Sequence, residues 1–105
     1  MSEELIAKLE SYFQEMKDWE RKPVLKSGKI VVELVKLPEK KSKSTYKPPR
    51  LAIMIRKEDA FRGMLIESPD EIEDLITALS LDKVKELANA VKQVNKKRSI
   101  AEFEI

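Results

Sequence analysis

Apolar residues near the start of the chain recur at the spacing of three and four residues that one face of a helix requires. These residues are Leu5, Ile6, Leu9, Tyr12, Phe13 and Met16. The spacing predicts an amphipathic helix over residues 2–21. Ser2 is a suitable N-cap, and Pro23 ends the segment because proline cannot continue a helix.

Apolar segments rich in β-branched residues predict three strands in the middle of the chain, at 30–37 (IVVELVKL), 50–56 (RLAIMIR) and 61–67 (FRGMLIE). A hairpin should join the last two, with Arg56 opposite Phe61. This register gives one core face of Leu51, Ile53, Ile55, Met64 and Ile66. It gives an opposite face of Arg50, Ala52, Met54, Arg56, Phe61 and Gly63. Residues 38–49 (PEKKSKSTYKPP) are polar, basic and bracketed by prolines, which predicts a long exposed loop.

The segment Ser68-Pro69-Asp70-Glu71 is the clearest local signal, because it matches a capping box with proline at the first helical position. A helix follows, and Leu81-Asp82 either kinks it or starts a new one. Val84, Leu87, Val91 and Val94 then have the spacing of a helical zipper. Residues 99–105 (SIAEFEI) alternate and predict an extended tail that adds to a sheet edge.

Together these elements predict an α+β fold: a small antiparallel β-sheet with helices on one face, an N-terminal helix and a C-terminal zipper-like helix. We predict a single domain over residues 1–105, in which 81–105 form an oligomerisation helix and tail. The expected assembly is a homo-oligomer, either a dimer or a tetramer. Its interface residues are predicted to be Val84, Leu87, Val91, Val94 and Phe103.

The composition argues against most enzymatic chemistry. The 105 residues include no Cys, no His and only two Gly. Disulfides, common zinc sites, thiol or imidazole catalysis and glycine-rich phosphate loops are therefore not expected. The acids at 70, 71, 73 and 74 fit helix capping better than a metal site, because no third ligand is evident. We expect no cofactor, no metal and no enzyme activity. The acidic start and the lack of a long apolar run predict a cytoplasmic protein without a membrane partner.

Charge is distributed unevenly along the chain. The net charge is +2, yet residues 21–62 hold 13 Lys and Arg against four acids. A basic face of this kind attracts polyanions. The alternative is that the lysines only keep a charged protein solvated, as in many proteins of thermophiles.

Arginine beside aromatic rings on the face opposite the core is typical of surfaces that bind single-stranded nucleic acid, where bases stack on rings and phosphates meet guanidinium groups. The alternative is that this face packs, in which case Val35 and Leu65 belong to the core. A lone Trp such as Trp19 also commonly anchors a core or an interface. The candidate nucleic-acid-binding residues are Trp19, Arg21, Lys22, Lys36, Lys43, Tyr46, Lys47, Arg50, Arg56, Phe61 and Arg62.

The segment YKPPRLAIMIRKEDAFRGMLIESPDEIEDLITAL resembles the strand, hairpin and capped-helix centre of the archaeal ThermoDBP-related single-stranded DNA-binding proteins. By element order the resemblance extends over residues 1–98. The ending SPDEIEDL is also similar to positive-cofactor-type transcriptional coactivators, which have more strands before the helix. The first resemblance implies sequence-tolerant binding of single strands in a basic and apolar cleft, and oligomers built through the C-terminal helices.

The sequence therefore predicts binding of single-stranded DNA or RNA with little sequence preference. The alternative is an oligomeric protein-interaction module with no role in nucleic-acid binding. A duplex-binding transcription factor is disfavoured, because no helix is strongly basic on one face.

Overall fold

The computed structural model describes residues 2–103, with side chains described for residues 2–97. The fold is mixed α+β, as predicted. It divides into two compact units, the first ending at Glu67 and the second beginning at Ser68. The elements of the first unit are α1 (Glu3–Glu15), β1 (Arg21–Ser27), β2 (Ile30–Leu37), β3 (Lys40–Lys41), β4 (Tyr46–Lys47), β5 (Arg50–Lys57) and β6 (Met64–Ile66). The second unit consists of α2 (Pro69–Ser80) and α3 (Asp82–Phe103).

The main sheet is antiparallel, with strand order β1-β2-β5-β6, and β3 and β4 form a separate two-stranded hairpin. The strands predicted at 30–37 and 50–56 are confirmed. β1 was not predicted, because Pro23 and the lysines around it do not alternate. Pro23 is tolerated within the strand because β1 lies at the edge of the sheet and its pairing is irregular between Pro23 and Leu25.

The predicted pairing of the last two strands is wrong by two residues. Met54 pairs with Leu65 rather than with Gly63, and Ile55 pairs with Met64. The strand begins only at Met64, so residues 58–63 form a longer connection than expected. A shift of two residues leaves every side chain on its predicted face, because side chains alternate with a period of two.

The two faces of the sheet differ in burial from the expectation. We call the face that carries Arg21, Glu33, Met54, Arg56 and Leu65 the arginine face, and the opposite one the helix face. The most buried cluster lies on the arginine face, where Val35, Leu37, Ala52 and Met54 pack together with Leu65. The prediction that the sheet is open to solvent around Ala52 and Met54 is therefore wrong. The alternative, in which this face packs and Val35 and Leu65 belong to the core, is correct.

The helix face is only partly covered. Ile66 is buried, but Leu51, Ile53 and Ile55 are half-buried and Met64 is exposed. α1 lies beside this face, because Phe13 and Leu51 line the same shallow cavity and Lys36 Nζ donates to the Phe13 carbonyl at 2.7 Å.

α1 begins and ends at identifiable signals. Ser2 Oγ accepts from the Leu5 amide at 3.4 Å, which confirms the predicted cap. The helix ends at Glu15, not at residue 21, because Met16 adopts an extended conformation and the chain turns at residues 17–20.

The helices of the second unit follow the local signals. Ser68 Oγ accepts from the Glu71 amide and Pro69 opens α2, as predicted. A new helix starts at Asp82. The extended tail predicted from residue 99 is wrong as far as Phe103, which is helical. No Gly or Pro occurs after Pro69, so nothing in the sequence stops α3. The side chain of Phe103 and residues 104–105 lie outside the described part of the chain.

Candidate nucleic-acid interface

A cavity of about 330 Å³ opens on the arginine face of the first unit. Its lining residues come from the turn before β1, from β1, β5 and β6, and from the connection before β6. They are Trp19, Arg21, Met54, Phe61, Arg62, Gly63 and Leu65. This set contains two aromatic rings, two guanidinium groups and no carboxylate. Four of its members are predicted nucleic-acid-binding residues that lie up to 43 positions apart in sequence.

The connection before β6 forms one wall of the cavity. We call this connection, together with the last residue of β5, the strap (residues 57–63). Arg56 holds the first part of the strap, because its Nη1 donates to the carbonyls of Lys57, Glu58 and Ala60 at 3.1, 3.3 and 3.1 Å. Arg56 Nε donates to Glu33 Oε1. The guanidinium of Arg56 is thus occupied by the protein itself, so Arg56 positions the strap.

Arg21 holds the second part of the strap from the opposite edge of the sheet. Its Nη1 donates to the Phe61 carbonyl at 2.6 Å, and its guanidinium carbon lies 4.6 Å from the centre of the Phe61 ring. One face of the ring is therefore covered by a cation, while 78% of the residue remains exposed.

Glu33 joins the two arginines. It is buried, and its Oε1 lies 3.9 Å from Arg21 Nη1 as well as accepting from Arg56. A buried carboxylate is stable only when it is paired and hydrogen-bonded. Glu33 neutralises one of the two positive charges, so the cluster keeps a positive charge beside the cavity.

Gly63 is required where the strap meets β5. A Cβ atom at this position would lie 2.0 Å from the Ile55 carbonyl oxygen and 2.6 Å from Arg56 Cβ. Only glycine lets the strap approach the β5 backbone this closely. The position of Phe61 and Arg62 therefore depends on Gly63.

Trp19 also lines the cavity. It occupies the third position of a turn in which the Glu20 amide donates to the Lys17 carbonyl at 3.0 Å. The Trp19 amide donates to the Lys36 carbonyl at 2.7 Å, so the turn is attached to the end of β2. Its φ of 67° is the one positive value among the described non-glycine residues. This conformation costs about 1–2 kcal/mol for a residue with a Cβ atom.

Arg62 is the exposed cation of the cavity. Among the described residues it makes no hydrogen bond and no ion pair, unlike Arg21 and Arg56. Its guanidinium is free to meet an external anion.

Two predicted residues lie on the opposite face of the sheet from the cavity. Lys22 and Lys36 point to the helix face, where their ammonium groups lie 5.0 and 4.4 Å from the ring centres of Tyr12 and Phe13. Both lysines thus pack against α1. The sequence could not distinguish Lys22 from Arg21, because β1 was not predicted. Lys36 lies in the predicted strand at 30–37 and was included for its charge alone.

The remaining predicted residues belong to the segment between β2 and β5. Lys43, Tyr46 and Lys47 are exposed, as predicted, but the segment is an ordered hairpin whose turn is closed by Ser42 and Thr45. Arg50 fixes its base by donating to the carbonyls of Pro38 and Pro48 at 3.5 and 3.4 Å, and it pairs with Glu67.

Desolvation, followed by the charge of Glu39 and a hydrogen bond to it, raises the pKa of Tyr46. The Tyr46 hydroxyl therefore stays protonated at neutral pH. The hairpin presents lysines and one neutral ring to solvent.

Met54 and Gly63 were expected on the open face but not among the binding residues, and Leu65 was expected there only if that face packed. Glu33 was not expected to belong to the site. Gly63, one of only two glycines, was the available signal. Glu33 is the one acidic residue in the apolar sequence of β2. It gave no signal, because a carboxylate on a face predicted to be open to solvent needs no partner.

The comparisons with known proteins give no relative. No family model matches the chain, and no curated protein or solved structure is significantly similar to it. Within residues 2–103, no helix has the length and apolarity needed to cross a membrane. The described residues also contain no group of three or more acidic side chains arranged to hold a metal ion.

Proposed function

We propose that this protein binds single-stranded nucleic acid, DNA or RNA, with little sequence preference. The observation that carries the proposal is the cavity on the arginine face. It combines the aromatic rings of Trp19 and Phe61 with the unpaired guanidinium of Arg62 and contains no carboxylate.

The size of the cavity favours an unpaired base. Its volume of about 330 Å³ lies near the lower end of the range for small-ligand sites and is sufficient for one planar base. The floor of Met54 and Leu65 is apolar, as the face of a base requires. Every base has such a face, so stacking here tolerates any sequence.

The charges around the cavity suit the backbone of the strand. Arg62 is placed to meet a phosphate, while Arg21 and Arg56 with Glu33 leave one uncompensated positive charge nearby. The hairpin formed by β3 and β4 adds exposed lysines for further phosphates. Capture would rest on counterion release and stacking, with no chemical step. This mode of binding is the one that the resemblance to the ThermoDBP-related proteins implies.

The substitution Arg62→Ala tests the proposal. We expect it to weaken binding to oligo-dT by about fivefold, or about 1 kcal/mol, because one exposed phosphate contact is lost. Lys29→Ala is the matched control, since Lys29 is an exposed cation in the turn between β1 and β2 and does not line the cavity. Fluorescence anisotropy with a labelled oligonucleotide measures both. Equal losses of affinity in the two variants would mean that Arg62 contributes only through the overall positive charge, and that the cavity is not the binding site.

We propose in addition that the chain assembles through α3. Val84, Leu87, Val91 and Val94 are all exposed, as partners of a second helix would be in the isolated chain. The same observation supports the alternative function, a protein-interaction module.

Leu87→Lys should shift the mass measured by light scattering to that of a monomer, because it places a charge on the apolar seam. Gln93→Lys adds the same charge at a polar position of α3 and should leave the mass unchanged. A monomeric wild-type protein would contradict assembly through α3.

A further inference from the structure

The turn that carries Trp19 has an energetic cost that its contacts do not explain. A positive φ is common for glycine and unfavourable for a bulky side chain. A Trp in this conformation persists only where the surroundings hold it there, and such residues cluster at functional sites.

The surroundings of Trp19 do fix the backbone. The Trp19 amide donates to the Lys36 carbonyl, the Glu20 amide closes the turn on Lys17, and Glu20 Oε1 accepts from the Lys17 amide at 3.0 Å. These bonds involve only the backbone at position 19, so a glycine there would keep all of them and relieve the unfavourable conformation. The indole is not required for the fold by burial either, because 57% of Trp19 is exposed.

Trp19 nevertheless lines the cavity, together with Phe61 and Arg62 of the strap. The ring of Phe61 offers less to a ligand, because Arg21 covers one of its faces at 4.6 Å. Among the described residues no cation lies over the Trp19 indole, which is the larger of the two rings.

We infer that Trp19 is the principal base-stacking residue of the site. Its left-handed conformation lowers the stability of the fold and is retained because the indole contacts the ligand. This inference rests on the proposed function and assigns the ring that an unpaired base covers. It requires that folding stability and binding respond to substitution at position 19 in opposite ways.

Three variants test the inference: Trp19→Gly, Trp19→Ala and Trp19→Phe. Circular dichroism in guanidinium gives the unfolding midpoint, because the chain has a single Trp and loses that fluorescence probe. Anisotropy with labelled oligo-dT gives the affinity. Gly and Ala remove the same side-chain contacts, so their difference in midpoint reports the backbone alone.

We expect Trp19→Gly to unfold at a higher guanidinium concentration than Trp19→Ala, whereas at ordinary positions alanine is the more stable of the two. Trp19→Gly should also unfold at no lower concentration than the wild type. Trp19→Gly and Trp19→Ala should both bind oligo-dT about 5- to 150-fold more weakly, the range for loss of one stacked base. Trp19→Phe keeps a ring in the same conformation and should retain most of the affinity.

Different outcomes overturn the role of Trp19 and the proposed function. If Trp19→Gly binds like the wild type while Arg62→Ala binds weakly, the proposed function stands and Trp19 is not the stacking residue. If Trp19→Gly unfolds before Trp19→Ala, the turn carries no strain and the inference fails. If the wild-type protein binds no single strand, the inference fails with the proposed function.

Discussion

At the scale of single residues, the basic side chains of this protein divide into those that hold the structure together and those that remain free. Arg56 and Arg50 donate to backbone carbonyls of the strap and of the hairpin base, whereas Arg62 has no partner among the described residues. The sequence shows all three as equivalent cations in a basic segment. Net charge therefore predicted the presence of a basic region, and only the contacts separate its structural from its accessible members.

Glu33 is the residue on which the structural arginines depend. Glu33→Gln keeps the shape of the side chain and removes its charge, leaving Arg21 and Arg56 without their carboxylate partner. We expect a loss of about 1.5–3 kcal/mol in the free energy of unfolding, the value of a hydrogen bond to a charged group. Denaturant titration followed by circular dichroism measures it.

Glu58→Gln is the matched control for Glu33→Gln. Glu58 pairs with Lys26 at 2.6 Å, but both side chains are substantially exposed. An exposed pair contributes at most about 1 kcal/mol. If the two substitutions cost the same, Glu33 is not the centre of a buried charge cluster.

At the scale of elements, local signals predicted well and tertiary ones did not. The Ser68 cap, the break before Asp82 and the strands at 30–37 and 50–56 follow from nearby residues, and all are confirmed. The strap is different, because its path depends on Arg21 from another strand and on a contact between Gly63 and the β5 backbone. The sequence pattern of residues 57–63 does not predict the contact with Arg21 or the contact with the β5 backbone.

The strap also yields a test of how the cavity is built. Gly63→Ala should push the strap away from β5, because the new Cβ would lie 2.0 Å from the Ile55 carbonyl oxygen. We expect a loss of about 1–3 kcal/mol in stability and weaker binding to oligo-dT, since Phe61 and Arg62 move with the strap. Unfolding and anisotropy titrations measure the two effects.

Gly28→Ala is the control for the strap. Gly28 has a φ of 59°, so alanine is unfavourable there, yet its Cβ would meet no atom within 4 Å. This variant should lose stability and keep its affinity. If Gly63→Ala also keeps the wild-type affinity, the strap does not shape the binding site.

At the scale of the whole molecule, charge is separated between the two compact units. The chain up to Glu67 carries 15 Lys and Arg against 11 acids, and the chain from Ser68 carries six against eight. The cavity, the hairpin and the strap all belong to the first unit, and the exposed apolar seam of α3 belongs to the second. We propose that the first unit contacts nucleic acid and that the second mediates assembly.

The most direct test of nucleic-acid binding is anisotropy of labelled oligo-dT, oligo-rU and a DNA duplex, each titrated with the wild-type protein at several salt concentrations. We predict binding to at least one of the single strands, weaker binding to the duplex, and a slope of log affinity against log salt of about −0.7 for each phosphate neutralised. Quenching of Trp19 fluorescence should accompany binding. Binding that favours the duplex, an affinity that salt does not change, or no binding to either single strand would contradict the proposed function.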